Sequence, residues 1–482
     1  MLLLLGFLVG WSPIVMAARP LKMNIVFIIA DDLGNVVNQS DPRHPVKTPN
    51  LAKFAQSAMT FNRAYCQIPL CNPSRASIFT GLRPDQTGVF DLSRHFREQI
   101  HNVETLPELF RDNGWTTGRI GKIYHNDVPN GIGTDGLDDH LSWDMVFNPK
   151  GRDVEEEASI TNPTADRPVS SALSWLKAAG GDGEQTDGMI ATKAVEWINE
   201  HKNEPFFLGV GFFRPHTPYV APASYFDLYP LDQVHLPASP EDDRDDIPVA
   251  AFAHNNATAN YGLDEMTRKK ALQAYYSSVS FVDAQIGRVI EGLNSSGVGN
   301  RTVVVVCSDH GYHLGEHNGI WQKRTLFEES ARTSLMIRVP GATGNGAVCN
   351  KVVEFIDLYP TIAELGNLAS SLNLPGRSLM PLLEIPSIDW QGVAVTQILR
   401  PADDRFDKPV MGRSVRTDRW RYTQWNEGRD GEELYDHEKD PHEINNLANA
   451  PESKPMIESL KSKFIGRANG LTPSTPFDPT RL

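Results

Sequence analysis

The chain has 482 residues, which is long for a single hydrophobic core, so we expect one large domain and a smaller one. Hydrophobic residues make up 40% and charged residues 22% of the sequence, the composition of an ordinary globular protein rather than a fibrous or disordered one. The net charge of −14 argues against nucleic acid as a partner, and it means that any anion-binding site must gather its own cations.

The N-terminus carries an apolar run from Leu2 to Val15, and Val15-Met16-Ala17 supplies small residues at the cleavage positions of a signal peptide. We predict a secretory signal peptide over residues 1–17 and an exported protein, periplasmic or secreted, or lysosomal in a eukaryote. The usual positive n-region is missing, and the alternative is an N-terminal anchor, for which the run is short. No later stretch could cross a membrane, so we predict no span in the mature chain.

Strand-like segments alternate with helix-like segments through most of the chain. The predicted strands are 24–30, 115–120, 206–211, 302–308 and 334–339, and the first is a continuous apolar run of the kind typical of a strand buried on both faces. The predicted helices are 48–58, 105–114, 187–201, 267–293 and 356–365. This alternation predicts an α/β fold, with a large and mainly parallel sheet flanked by helices on both faces.

Two parts of the chain depart from this alternation. Residues 126–185 have weak periodicity and are rich in Gly, Asp, Pro and Asn, so we predict a long excursion there. Beyond residue 373 come short strand-like segments at 393–399, 411–416, 420–425 and 433–435, followed by a helix over roughly 451–464. We therefore predict a large domain over residues 18–372 and a C-terminal subdomain over residues 373–482.

Acidic residues follow two of the predicted strands. Asp31 and Asp32 come after the first strand, and Asp309 and His310 come after the run 302–308. Ligands of open α/β sheets bind at the carboxyl ends of the strands, and adjacent carboxylates repel each other unless a cation joins them. An isolated Asp-Asp pair is usually a solvated turn, but this placement favours a metal. The residue types suit Mg²⁺ or Mn²⁺, and the histidine leaves Zn²⁺ open.

The segment Leu70–Gly81 places Cys71 just before a helix that Pro73 would start. Unpaired backbone N–H groups and the positive end of the helix dipole favour an anion there and lower the pKa of a thiol. The residues alone therefore predict a nucleophilic cysteine. The alternative is a buried structural cysteine, which is the commoner fate of a single cysteine.

The sequence Cys71-Asn72-Pro73-Ser74-Arg75 resembles the C-x-P-S-R signature of the sulfatase family, and Thr80–Pro84 continues the likeness. The resemblance implies an alkaline-phosphatase/sulfatase-like fold whose C-terminal subdomain is an antiparallel sheet with one helix. It also implies that a formylglycine-generating enzyme oxidises the cysteine to formylglycine, an aldehyde that hydrates to a diol. One Ca²⁺ is the implied metal, with the ligands Asp31, Asp32, Cys71 in its modified form, Asp309 and His310.

The same resemblance assigns catalytic roles to five further residues. Arg75 is expected to pair with the formylglycine diol and with the metal-binding carboxylates. Lys122 and Lys323 are expected to hold sulfate oxygens, where charge matters more than a planar fork of donors. His216, helped by Lys323, is expected to protonate the leaving alkoxide, and His125 to accept the proton when sulfate is released.

Longer stretches resemble the iduronate-2-sulfatase-like branch of the family, at 206–211, 309–317, 411–417 and 421–425. The resemblance therefore implies hydrolysis of sulfate esters, with the 2-O-sulfate of a terminal uronic acid in a sulfated glycan as the target. Ser93 and Tyr312 fall at expected sugar-binding positions but depart from that branch, which leaves the identity of the sugar open.

Four arginines are further candidates for binding an anionic substrate. Arg413 and Arg416 are candidates for a sugar carboxylate, because the planar fork of arginine matches that group. Arg214 and Arg324 lie beside the catalytic motifs and either line the same pocket or are solvated, as such residues usually are.

Two other functions stay open at this point. One is a related hydrolase, either a sulfatase acting on another sulfated sugar or a phosphonate or phosphate ester hydrolase of the same superfamily. The other is a non-catalytic glycan-binding protein, which requires Cys71 to remain a thiol. A comparison of aryl sulfates with aryl phosphates would separate the first, and mass spectrometry of the Cys71 peptide would separate the second.

Overall fold

A computed structural model describes residues 22–36, 42–164, 166–253 and 258–468 of the chain, so the predicted signal peptide lies outside the described residues. The strands are β1 (Asn24–Asp31), β2 (Met59–Tyr65), β3 (Thr116–Gly121), β4 (Met145–Phe147), β5 (Trp175–Ala178), β6 (Phe206–Pro215), β7 (Tyr219–Pro222), β8 (Thr302–Ser308), β9 (His313–Leu314), β10 (Trp321–Gln322), β11 (Arg332–Arg338), β12 (Val348–Cys349), β13 (Val353–Glu354), β14 (Ala394–Arg400), β15 (Val410–Arg416), β16 (Trp420–Trp425) and β17 (Glu432–Asp436). The helices are α1 (Pro49–Ala55), α2 (Cys71–Thr80), α3 (Pro84–Thr87), α4 (Leu106–Asp112), α5 (Arg152–Glu155), α6 (Thr186–Glu200), α7 (Ala223–Phe226), α8 (Glu265–Ser295), α9 (Glu316–Gly319), α10 (Glu328–Ala331), α11 (Leu358–Leu365), α12 (Met380–Glu384) and α13 (Lys454–Ala468).

Nine of these strands form one large sheet in the order β12–β2–β11–β8–β1–β6–β3–β4, with β13 also paired to β2. β1 is parallel to both β6 and β8, and β3 is parallel to β6 and β4. β11 runs antiparallel to its neighbours β2 and β8. The predicted large, mainly parallel sheet is thus confirmed, with one antiparallel strand inside it.

The central strand β1 is buried on both faces, because successive side chains of a strand point to opposite sides. Ile25, Phe27 and Ile29 pack in one core with residues of α2, α4 and α11. Val26 and Ile28 pack in the opposite core with residues of α6 and α8. Each fully buried side chain of this size contributes about 1.5–3 kcal/mol. The continuous apolar sequence of β1 therefore reflects two helical layers, one on each face.

The C-terminal strands β14 to β17 form a separate antiparallel sheet in chain order, which confirms the predicted small antiparallel sheet. Helix α13 packs on it through Ile457 and Leu460. The sheet also contacts the chain just before Cys71, because Thr396 Oγ1 donates to the carbonyl of Cys66 at 2.7 Å. The domain boundary at residues 372 and 373 stays a prediction.

The excursion predicted at 126–185 holds two short strands, β4 and β5, and the single-turn helix α5. β4 extends the large sheet beside β3, whereas β5 pairs with β7 in a small separate sheet. Among the described residues, no helix has the length and apolar character needed to cross a membrane. All four cysteines are free and buried.

Candidate active site

Four adjacent parallel strands, β8, β1, β6 and β3, bring polar residues to one edge of the large sheet. Asp31 ends β1 and Lys122 directly follows β3, while Asp309 and His216 directly follow β8 and β6. Asp32 leaves the strand with a φ of 63°, a left-handed conformation that costs about 1–2 kcal/mol for a residue with a Cβ. Its N–H donates to Asp309 Oδ1 at 3.2 Å, which holds the two strand ends together.

The three aspartates converge on one point. Asp31, Asp32 and Asp309 each place a carboxylate oxygen within 4.8 Å of the other two, and all three are buried. His310 Nε2 lies 3.4 Å from Asp32 Oδ1 and 3.7 Å from Asp309 Oδ2. Burial raises the pKa of Asp309 to about 6, although the neighbouring His310 and an arginine oppose the shift. Buried carboxylates and an imidazole gathered in this way fit a hard divalent cation.

Arg75, on α2, bonds to the carboxylates at the ends of β1 and β8 and so joins the two strand ends. Its Nε lies 3.0 Å from Asp309 Oδ2 and its Nη2 lies 3.2 Å from Asp31 Oδ1. Its Nη1 donates to the carbonyl of Lys122 at 2.6 Å, and Lys122 Nζ in turn lies 2.6 Å from Asp31 Oδ2. Burial acts to raise the pKa of Asp31, but these cations outweigh it and hold that pKa below its ordinary range.

Cys71 is buried beside the carboxylates and is surrounded by cationic and imidazole groups. Its Sγ is 3.1 Å from Lys323 Nζ and 3.5 Å from His310 Nε2. Burial acts to raise the pKa of the thiol, but Lys323 and the imidazoles of His125, His216 and His310 hold it well below its ordinary value. Burial acts to lower the pKa of His310, whereas Asp309 and the cysteine raise it to about 9. A cation at this point would displace the imidazole proton, since a histidine ligand must be neutral.

The two histidines predicted for acid–base work are held differently. His216 Nδ1 lies 2.6 Å from the carbonyl of Thr217, and a carbonyl accepts only, so Nδ1 carries the hydrogen and Nε2 is the exchangeable position. That Nε2 lies 3.8 Å from Asp32 Oδ2. His125 Nε2 contacts Asp127 Oδ1 at 3.3 Å, and its buried Nδ1 has no hydrogen-bond partner among the described residues.

Helix α2 begins at Cys71 itself, two residues before the proline that the sequence suggested as its start, and all ten of its residues are buried. The side chain of Asn72 donates to the carbonyls of Asp91 at 3.0 Å and Arg94 at 2.8 Å. Ser74 Oγ donates to the carbonyl of Asp309 at 2.5 Å. The first turn of α2 is therefore fastened both to a surface loop and to the end of β8.

The charges of this group balance. We use the name strand-end cluster for its carboxylates and cations, which are Asp31, Asp32, Asp309, Arg75, Lys122 and Lys323. Three carboxylates face three cations, and Lys323 Nζ lies 2.5 Å from Asp32 Oδ1. A divalent cation would leave the cluster with a net positive charge. Such a site attracts an anionic ester although the chain as a whole is acidic.

The two residues predicted to contact sugar, Tyr312 and Ser93, have partners within the protein. Tyr312 is buried, with its hydroxyl 2.9 Å from that of Tyr219 and its ring stacked on Tyr275 at 5.3 Å. Ser93 is exposed and its hydroxyl donates to Asp91 Oδ1 at 2.9 Å, which stabilises the loop that Asn72 holds.

The two arginines predicted to bind a sugar carboxylate have carboxylate partners within the protein. Arg413 Nη2 lies 3.2 Å from Asp85 Oδ1, and Arg416 Nε lies 3.4 Å from Glu328 Oε2. Neither contact brings these side chains to the strand-end cluster.

Sequence reasoning missed two residues that shape the site. Tyr275 donates from its hydroxyl to the carbonyl of Asp32 at 2.9 Å and accepts from the N–H of Gly34 at 2.9 Å, so it fixes the turn after β1. It lies in the middle of α8, where no local pattern marks it. Ser74 lies inside the C-x-P-S-R signature, which was the available signal, but its bond to Asp309 depends on tertiary structure.

Comparisons with known proteins agree with this geometry. The family profile described as sulfatase matches residues 23–368, and a profile described as the C-terminal region of N-sulphoglucosamine sulphohydrolase matches residues 315–469. A sulfatase of Formosa agariphila is 32% identical over 461 residues, covering 92% of this chain and 86% of that protein. Iduronate 2-sulfatase of Mus musculus is 28% identical over 520 residues, covering 91% of this chain and 93% of that protein.

Solved structures share the fold. A 2-O GAG sulfatase superimposes with a TM-score of 0.70 at 23% identity, covering 93% of this chain and 92% of that one. A phosphonate monoester hydrolase from Silicibacter pomeroyi superimposes with a TM-score of 0.78 at 23% identity, covering 94% of this chain and 96% of that one. The predicted alkaline-phosphatase/sulfatase-like fold is confirmed by these likenesses.

Proposed function

This chain belongs to the sulfatase family, and from that premise we propose that it hydrolyses sulfate esters of a carbohydrate at Cys71. The observation that carries the proposal is the position of Cys71 Sγ, 3.1 Å from Lys323 Nζ and 3.5 Å from His310 Nε2. A nucleophile position beside clustered carboxylates, with ammonium and imidazole groups around it, suits displacement at a charged ester.

Asp31, Asp32, Asp309 and His310 would hold one divalent cation, and we propose Ca²⁺ because the resemblance to the sulfatase family implies it and three of the four ligands are the carboxylates that a hard cation takes. When both groups are present, the cation withdraws negative charge from the ester oxygens and the formylglycine proposed at Cys71 supplies the attacking hydroxyl. Cys71 Sγ marks the position of that hydroxyl in the structure.

The two lysines would bind the oxygens of the sulfate group. An ammonium carries three N–H donors, so Lys122, bonded to Asp31, keeps two for the ester, and Lys323, bonded to Asp32 and to Cys71 Sγ, keeps one. Arg75 already donates to Asp31, to Asp309 and to two backbone carbonyls. Its role is therefore to hold the carboxylates and the first turn of α2 in register.

The two histidines would transfer protons in different steps: His216 when the leaving oxygen departs, and His125 when sulfate is released. His216 keeps its Nδ1 hydrogen on the carbonyl of Thr217, so Nε2 is the atom that can protonate the leaving oxygen. The buried Nδ1 of His125, without a hydrogen-bond partner among the described residues, can accept a proton when sulfate leaves, while Asp127 orients the ring from Nε2. The proton would thus be carried by Nε2 of His216 and by Nδ1 of His125.

We propose the 2-O-sulfate of a terminal uronic acid as the target, attacked from the end of the glycan. The 28% identity to iduronate 2-sulfatase over most of the chain supports this choice. The charge of the chain also supports it. A protein with a net charge of −14 repels a long polyanion, whereas the three cations of the strand-end cluster meet at one point, which suits a single terminal sugar.

Maturation and location follow from the same proposal. We propose that a formylglycine-generating enzyme acts on Cys71 and that the chain is exported. The apolar run 2–15 supports export, although it lies outside the described residues. Neither proposal requires a partner in the folded enzyme other than the sulfated carbohydrate.

The testing experiment compares the purified protein on aryl sulfate, aryl phosphate and aryl phosphonate esters, and on disaccharides sulfated at defined positions. We expect the sulfate esters, and among the sugars the 2-O-sulfated uronic acid, to be hydrolysed fastest. Preference for phosphate or phosphonate would contradict the reaction, and preference for a 6-O-sulfated hexosamine would contradict the substrate. Mass spectrometry of the Cys71 peptide reports formylglycine directly.

A further inference from the structure

Arg324 directly follows Lys323 and has an unusual backbone. Its φ of 77° lies in the left-handed region, which residues with a Cβ seldom adopt. Two bonds hold it there: its N–H donates to the carbonyl of Pro69 at 3.2 Å, and its carbonyl accepts from Arg400 Nη1 at 2.5 Å. Because Pro69 lies two residues before Cys71, the backbone of Arg324 is fixed beside the nucleophile.

The guanidinium of Arg324 differs from that of Arg214, the other arginine beside a catalytic motif. Arg214 Nη2 lies 2.6 Å from Asp153 Oδ2, so its charge is used within the protein. Among the described residues, Arg324 has no carboxylate within ion-pair distance, although it is half-buried. Burial lowers its pKa, and the charges that oppose this are those of Cys71, Tyr261 and Asp32. A half-buried cation without a counter-charge is unfavourable until an anion joins it.

The surroundings add to this positive charge. Arg400 is buried, and its guanidinium donates to the backbone carbonyls of Ala250, Ala251 and Arg324. It therefore supports Arg324 without neutralising it. Lys323, on the other side of Arg324, is paired with Asp32.

A second, independent observation is an unsatisfied donor on a neighbouring segment. The hydroxyl of Tyr261 is buried and has no hydrogen-bond partner among the described residues. Burial raises the pKa of Tyr261, and the guanidinium groups of Arg167, which lies over its ring at 4.5 Å, and of Arg324 oppose the shift. The turn that carries Tyr261 is joined to the segment before Lys323, because Trp321 Nε1 donates to Asn260 Oδ1 at 3.0 Å. An unsatisfied buried hydroxyl and a guanidinium without an ion-pair partner among the described residues thus lie on two connected segments, and the segment of Arg324 is bonded to the chain just before Cys71.

We propose that Arg324 and the hydroxyl of Tyr261 bind a second anionic group of the substrate, next to the sulfate that is removed. This inference rests on the proposed function and names its specificity residues. The group would be a uronic acid carboxylate or a second sulfate on the sugar, since both offer the paired oxygens that a guanidinium fork recognises.

The test measures kcat/KM on three substrates with the purified, matured enzyme. These are 4-nitrophenyl sulfate, which has one anionic group, a 2-O-sulfated unsaturated uronyl disaccharide, and glucosamine disulfated at the 2-N and 6-O positions. The variants are Arg324→Gln, Arg324→Lys and Tyr261→Phe. Arg429→Gln is the matched control, because Arg429 is 68% exposed and its bonds stay within its own turn.

We expect Arg324→Gln to lower kcat/KM on one of the two sugars about 10- to 100-fold more than on the aryl ester, mainly through KM. The sugar affected identifies the group as carboxylate or sulfate. Arg324→Lys should recover part of this loss, and Tyr261→Phe should show about a fivefold loss on the same sugar. If Arg324→Gln does not fold, the lysine and phenylalanine variants carry the same comparison.

Equal losses on all three substrates would overturn the inference and leave the proposed function standing. A wild-type enzyme that hydrolyses none of the three would overturn the proposed function, and the inference with it. These two failures are distinguished by the wild-type rates alone.

Discussion

This protein contains two buried clusters of ion pairs that are built from similar side chains but differ in role. The strand-end cluster lies at the carboxyl edge of the large sheet. The second, which we call the junction cluster, lies where the C-terminal sheet meets α10, and it consists of Glu328, Glu443, Arg332, Arg416, Arg421 and His437. Both gather metal-ligand types closely enough to suggest a metal site, three carboxylates in the strand-end cluster and two carboxylates with a histidine in the junction cluster.

The difference lies in the cations that accompany the carboxylates. In the junction cluster, three guanidinium groups and an imidazole face two carboxylates, and Arg421 bonds to both Glu328 and Glu443. Tyr65 donates to Glu328 at 2.9 Å, so the oxygens have their partners. In the strand-end cluster the cations only equal the carboxylates, and a thiol and three imidazoles adjoin them. Proximity of acidic groups therefore does not identify a metal site unless the local charge leaves room for a cation.

The largest expected effect comes from the thiol that the junction cluster lacks. Cys71→Ala should lower turnover by about 10⁴-fold or more, because the nucleophile acts as a unit with its neighbours. The circular dichroism spectrum and the cooperativity of unfolding should be unchanged. The control is Cys307→Ala in β8, which should lose stability but keep activity. Near-wild-type turnover by the Cys71 variant would exclude the covalent role.

Substitution of carboxylates should change the metal content of the protein when it is made in the strand-end cluster, but not when it is made in the junction cluster. We expect elemental analysis of the wild-type protein to find one bound divalent cation, and the double variant Asp31→Ala, Asp32→Ala to lose it. Activity should fall about 10³-fold, since a bound cation contributes several kcal/mol to stabilising charge in the transition state. Glu443→Gln in the junction cluster should leave the metal content unchanged. A metal-free but active wild-type enzyme would contradict this assignment.

Substitution of a cation in the junction cluster should lower the stability of the protein but not its turnover. Arg421→Leu removes two buried charge-assisted bonds, one to Glu328 and one to Glu443, and such bonds contribute about 1.5–3 kcal/mol each, so we expect the free energy of unfolding to fall by about 3–5 kcal/mol. Turnover per folded molecule should be retained below the unfolding temperature. Urea unfolding measures the change, and the exposed Arg429→Leu should shift it by less than about 0.5 kcal/mol. A small effect of Arg421→Leu would mean that the junction cluster does not hold the C-terminal sheet.

The smallest predicted effect concerns pH and the region beside the junction cluster. Burial raises the pKa of Glu433 to about 7, despite hydrogen bonds from Trp425 and Tyr435. The folded state thus binds a proton that the unfolded state releases, and stability falls as the pH rises from 4.5 to about 7, by on the order of 1–3 kcal/mol. Glu433→Gln should lack this part of the fall. The control is Glu427→Gln, whose side chain is 77% exposed. Parallel pH curves for the Glu433 variant and the wild type would contradict the shift.

The sequence predicted those features that local patterns encode. The segments that became β1, β3, β6 and β8 alternate with helices along the chain, and β1 and β8 are apolar except at their ends because their residues are buried on both faces of the sheet. The polar residues at the ends of these runs, among them Asp31, Lys122 and Asp309, could be assigned to one edge because parallel strands share their direction. The structure brings these residues together with Arg75 on α2.

The features that the sequence did not predict depend on contacts between residues that are far apart in the chain. Arg416 meets Glu328 across 88 residues of sequence, so its use inside the protein could not be distinguished from use in a sugar pocket. Tyr312 stacks on Tyr275, and nothing near either residue announces the pair. The left-handed backbone of Arg324 is imposed by Pro69 and Arg400, which are also remote in sequence.

The double burial of β1 also limits how this protein can vary over evolutionary time. A one-residue insertion or deletion inside β1 would exchange the side chains of its two faces, so that Phe27 would enter the core now filled by Ile28. It would also shift Asp31 by about 3.3 Å along the strand. Substitutions that conserve volume affect one core at a time, whereas a change of length damages both cores and the site together. We expect length differences among relatives to accumulate in the excursion at 126–185 and to be absent from β1.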